Sequence, residues 1–212
     1  MYKLLSLLLL VSPMAYAGFE RGNGGNIVFC ANETEPMFLD YYIYIRSEKK
    51  ILFPILSPVN TPAIEKALQL IQPLNAFDSL PTERLAKTIR SFEQESYFIN
   101  DMPRVAVADE GLRALIETYR CNIHQLIFQR EIPTAEGVRY FISEKHWKML
   151  NNDQKATAMV HEAVLREFMG KENFFYKDPV QIIVEGLLGY EMFRDNSALQ
   201  RAKTQFDVLK EF

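Results

Sequence analysis

Cys30 and Cys121 are the only cysteines in a chain of 212 residues. A bond between them would fasten an early strand to a segment about 90 residues downstream, a tighter limit on topology than any other feature here. Whether they pair depends on where the chain resides. It opens Met1-Tyr2-Lys3, continues with an apolar run from Leu4 to Val11, breaks at Pro13 and reaches the small-residue triplet Ala15-Tyr16-Ala17 before Gly18. That layout predicts a cleavable secretory signal peptide over residues 1–17, leaving one globular domain over 18–212. The apolar run is far shorter than the roughly 20 residues that span a bilayer. Position 18 offers no thiol to acylate, so a soluble periplasmic or secreted protein without a stable membrane anchor is expected. In an oxidising compartment, two cysteines with no third to compete favour a Cys30–Cys121 disulfide, stabilising by about 4 kcal/mol in the chain-entropy picture. The alternative is two buried free thiols.

Charge narrows the partners. Of 24 Lys and Arg, only Lys3 leaves with the signal segment, so 23 face 27 Asp and Glu, a net charge of −4 with histidines neutral. No cluster of Lys and Arg interleaved with aromatics stands out, which argues against nucleic acid as a partner and against a membrane-surface role. An envelope protein or a peptide remains open as a partner. With 48% apolar residues, a chain of this length can bury about two-thirds of its unfolded surface in one core.

Periodicity predicts a predominantly helical α+β fold with a small antiparallel sheet. Gly22-Asn23-Gly24-Gly25-Asn26 leads into the strand-like Ile27-Val28-Phe29-Cys30. Met37, Tyr41, Tyr44 and Ile45 have helical spacing between Glu35 and Lys49, with Pro36 suited to the first turn. Thr61-Pro62 opens a helix with Ile64, Ala67, Leu68 and Ile71 on one face, which Pro73 ends. Another runs from Pro81 to about Tyr97 on a stripe of Leu85, Ile89 and Phe92. Cys121 to Phe128 and Val138 to Ile142 read as two strands of a hairpin. Helices follow around Trp147, from about Asp153 to Met169 with Asp153 as N-cap, from about Pro179 to Arg194, and over the tail from Ser197.

The stretch with catalytic flavour is Leu150-Asn-Asn-Asp153, followed by an alanine-rich helix to His161-Glu162 and on to Arg166-Glu167. Zinc peptidases set two histidines four residues apart so that both face the metal, with the intervening glutamate polarising a bound water. Here the position four after His161 is Leu165. A structural reading places the His161 ring against Val164, Leu165 and Phe168 with one hydrogen-bond partner, and pairs Glu162 with Arg166 one turn on. A metal reading makes His161 and Glu185 zinc ligands and Glu162 the general base. His124 and His146 are the other histidines, and either could complete a site in three dimensions. No serine nucleophile elbow, phosphate-binding loop, dinucleotide fingerprint or CxxC pair occurs.

The words around His161 resemble the active helix of gluzincin-type zinc metallopeptidases, introduced by a Leu-Asn-Asp type of turn and completed by a glutamate from a later helix. In this chain that glutamate is Glu185, within Val184-Glu185-Gly186-Leu187-Leu188. The resemblance implies a zincin-like helix with a degenerate HExxH motif. A longer pattern, Gly22 to Gly25, Cys30, Leu39-Asp40-Tyr41, Cys121 to Gln125, Leu150 to Asp153 and His161 to Glu167, resembles a group of uncharacterised secreted or periplasmic proteins of predatory Gram-negative bacteria. That resemblance implies export and the disulfide but no activity. Two functions from different classes follow. One is a non-enzymatic exported binding or structural module that keeps the zincin-like helix as scaffold and needs no cofactor. The other is a metal-dependent, peptidase-like hydrolase using His161, Glu162 and Glu185.

Overall fold

Strand β1, Asn26–Cys30, follows directly on Gly25, and it pairs antiparallel on one side with β2, Met37–Phe38, and on the other with β4, Cys121–Gln125. The computed structural model describes residues 25–31, 33–47, 58–77, 79–100, 102, 120–169 and 178–210. Residues 1–17, where a signal peptide is expected, and residues 22–24 of the glycine-rich stretch lie outside them. In the β1–β4 register Cys30 stands opposite Cys121, and the two are joined by a disulfide. The expected covalent tie between the first strand and mid-chain is therefore present.

The hairpin takes a different form from the one periodicity suggests. Cys121 to Phe128 is not one strand but two, divided at Leu126. The first half, β4, belongs to the β1 sheet. The second half, β5 (Ile127–Gln129), pairs antiparallel with β6 (Tyr140–Ser143) in a second sheet. The cause lies in a remote segment: the Gly25 carbonyl accepts from both Leu126 N and Ile127 N, at 2.9 and 3.0 Å, so the backbone changes partners there without losing a bond. The second sheet has the order β3-β6-β5, and its β3 (Ser96–Ile99) runs parallel to β6. This strand replaces the end of the helix expected to reach Tyr97. That helix, α3, spans Ser79–Ser91, and its Leu85, Ile89 and the following Phe92 are buried as the stripe predicts.

The remaining helices are α1 (Leu39–Ser47), α2 (Ala63–Ile71), α4 (Glu144–Met149), α5 (Asn152–Phe168), α6 (Asp178–Phe193) and α7 (Asn196–Lys210). α1 starts four residues later than its periodicity suggests, because Met37 and Phe38 are taken by β2. Pro73 ends α2 but not the turning of the chain, which continues as a 3-10 helix over Gln72–Ala76. The whole is a helix-dominated α+β fold.

α5 lies at its centre, packed against α1, α2, α3, α6 and β2. Every residue from Ala156 to Leu165 is buried. A helix covered on all sides has no solvent face on which to put its polar residues, so each one must find a partner inside. Its N-cap is Asn151, whose Oδ1 accepts from Gln154 N at 3.0 Å, rather than Asp153. Asp153 instead turns inward to an ion pair with the buried Lys66 of α2. α6 and α7 pack at small residues: a Cβ on Gly186 would stand 2.5 Å from the Ala198 carbonyl oxygen, so only glycine permits the approach.

Candidate functional site: a buried polar cluster on α5

The burial of α5 dictates what His161 and Glu162 can do. Glu162 is 0% exposed. Its Oε1 accepts from the Gly25 backbone N–H at 2.6 Å. The Gln129 amide, with its nitrogen turned toward α5, donates to Oε2 at 2.9 Å and to the Glu162 main-chain oxygen at 3.3 Å. Gly25 permits this approach because a Cβ there would lie 2.4 Å from Phe38 Cε2 and 3.4 Å from Glu162 Oε1. Burial pushes the Glu162 carboxyl up to about 7; His161 and the Gly25 N–H pull against that, and the Asp40 carboxylate adds to it.

His161 is 8% exposed. Its Nδ1 meets Asp40 Oδ2 at 2.5 Å, and since a carboxylate only accepts, Nδ1 carries the proton of that bond. Asp40 is buried in the first turn of α1. The imidazole stands edge-on to Phe38, ring centres 5.7 Å apart. The expected hydrogen-bond partner exists, and it comes from α1; an aromatic neighbour comes from β2. Together with Gln154 Oε1, which accepts from Phe38 N at 3.1 Å, these contacts bind α5 to the β2–α1 junction.

The expected pair of Glu162 with Arg166 does not form. Glu162 is turned inward to β1 and β5, while Arg166 Nη1 reaches both Glu95 oxygens, at 3.1 and 2.9 Å, beside the start of β3. Glu95 also receives Arg139 Nε at 3.2 Å. Against the raising effect of partial burial, the Ser91 hydroxyl and the two arginines hold its carboxyl below the ordinary range.

Leu165, where a zinc helix carries its second histidine, is buried in the core. Glu185 is half-buried on α6, and its Oε1 accepts from Gln181 Nε2 one turn earlier at 2.6 Å. Among the described residues, no three or more His, Cys, Asp and Glu side chains are grouped to hold a metal ion.

The fold brings the other two histidines together. His124 is exposed on β4 and His146 half-buried on α4. Their ring centres are 5.4 Å apart, and Phe29 of β1 packs edge-on against both, at 5.3 and 5.5 Å. Ser143 Oγ lies 3.1 Å from His146 Nδ1. Burial first, then His124 and Lys145, hold the His146 imidazole below its ordinary value. Sequence reasoning missed Asp40 and Gln129 as partners in the site: Asp40 stood only within the Leu39-Asp40-Tyr41 element of the longer pattern, with no role attached, and Gln129 follows an apolar run. Comparison with known proteins adds no assignment, since no family model, no curated protein and no solved structure matches this chain.

Proposed function

We propose that the protein is an exported, non-enzymatic binding or structural module of the periplasm or medium, in which the zincin-like α5 is scaffold. The observation that carries this reading is the carboxylate of Glu162, fully buried and occupied at both oxygens by the Gly25 N–H and the Gln129 amide. A general base must reach a water and a substrate, and this carboxylate is enclosed by β1, β5 and its own helix. His161 serves likewise as a donor to Asp40. The disulfide supports the exported setting, and no helix among the described residues is long and apolar enough to cross a membrane.

A metal-dependent hydrolase using His161, Glu185 and Glu162 is the second reading, and the observation in its favour is the Glu162 carboxyl near 7, a value suited to a base. Metal analysis of protein purified without chelators separates the two, read together with peptide hydrolysis by the wild type, His161→Ala and Glu162→Gln. The scaffold reading expects no hydrolysis and no zinc that depends on His161. Stoichiometric zinc lost in His161→Ala, or hydrolysis abolished in Glu162→Gln, overturns it. Intact mass of the exported form should begin at Gly18, and a retained Met1 would remove the export from the proposal.

A further inference from the structure

We propose that His124 and His146 form a two-imidazole site for a late first-row divalent metal ion, copper above nickel and zinc, with water filling the remaining positions. The two residues are 22 positions apart in sequence and stand on different elements, β4 and α4, yet their ring centres are 5.4 Å apart. An ion about 2.0 to 2.1 Å from one nitrogen of each ring, at a roughly tetrahedral angle, sets the two ring centres about 5 Å apart. The observed spacing needs only a small adjustment to meet it, and His124, the exposed member of the pair, can supply it.

The surroundings match what a ligating imidazole needs. In the tautomer whose Nδ1 donates to Ser143 Oγ, 3.1 Å away, the lone pair of His146 is on Nε2, and the ring is oriented by a side chain that is itself buried. Such a bond to the non-ligating nitrogen fixes the tautomer of metal-bound histidines generally. Phe29, edge-on to both rings, gives the pair a common apolar wall and limits their rotation. No carboxylate or thiolate joins them into a larger set among the described residues. Two neutral nitrogen donors with open positions favour the ions that imidazole suits, in the order that places copper highest, over calcium or magnesium. The pair shares no residue with the α5 cluster, where His161 Nδ1 donates to Asp40.

The test is calorimetric titration of the mature disulfide-bonded protein with copper(II), repeated on His124→Ala, His146→Ala and Ser143→Ala. One equivalent should bind the wild type, each histidine variant should weaken binding at least tenfold, and the Ser143 variant should weaken it less than either. Nickel should raise the melting temperature of the wild type and leave both histidine variants unmoved. Circular dichroism checks that the variants fold. Should one fail to fold, electron spin-echo spectroscopy of the copper-loaded wild type still decides, since two coordinated imidazoles are expected. One imidazole or none, no stoichiometric binding, or equal binding in folded variants overturns the proposal.

Discussion

Glu162 sits between a backbone N–H and a primary amide that can present either its nitrogen or its oxygen, so the two protonation states of one carboxyl can both be satisfied by Gln129. Replacing it by glutamine keeps an acceptor for Gly25 and lets Gln129 turn over, and Glu162→Gln should lose only about 1 kcal/mol at neutral pH. Glu162→Ala strands the Gly25 N–H and opens a cavity, for a loss of roughly 2 to 4 kcal/mol. Because the carboxyl titrates near 7 in the folded chain against an ordinary value of 4.5, the folded state holds its proton more tightly. Its contribution is complete below about pH 4.5 and is lost as pH rises to about 7, on the order of 3 kcal/mol in all. Urea unfolding at pH 5, 6 and 7 should show wild type losing ground to Glu162→Gln over that range. A difference that does not change with pH would sink this account.

At the scale of elements, the ion pair of Lys66 with Asp153 is the buried charge that joins α2 to α5, with Lys66 only 1% exposed. Removing one partner leaves the other charged and enclosed, so Lys66→Met should destabilise by about 3 to 5 kcal/mol, whereas Lys66→Met with Asp153→Leu should recover most of that loss. Equilibrium unfolding of the two variants compares them, and a double variant as weak as the single would contradict it. The helices were largely legible: the stripe of α3, the span of α5 and the positions of α6 and α7 follow from apolar spacing and turn residues. β3 was not, because Tyr97 follows Phe92 closely enough to extend a helical stripe and its partner β6 lies over 40 residues away. The division at Leu126 was hidden for a similar reason, since Ile127 and Phe128 continue an apolar pattern and the change of partner depends on the distant Gly25 carbonyl. Of the α5 cluster, sequence spacing located His161 and Glu162. Their partners came from Gly25 just before β1, from α1 and from β5, which no local pattern could connect.

Across the whole molecule, the Cys30–Cys121 bond encloses 91 residues of chain separation, including β2 and α1 to β3. Opening it by Cys30→Ala with Cys121→Ala should lower stability by about 4 kcal/mol, measured as a shift in the denaturant midpoint against the oxidised wild type. An unchanged midpoint would mean that the bond gains nothing by restricting the unfolded chain, contrary to this account. The same bond divides the chain mechanically. A tether pulling on the two ends can draw out the chain that follows Cys121, but the segment between the cysteines is shunted past by the sulfur bridge and bears no tension. At about 3.4 Å per extended residue that hidden length is roughly 300 Å. A single molecule stretched between its termini should therefore stop short by that distance, and lengthen by it in one step when a reductant reaches the bond.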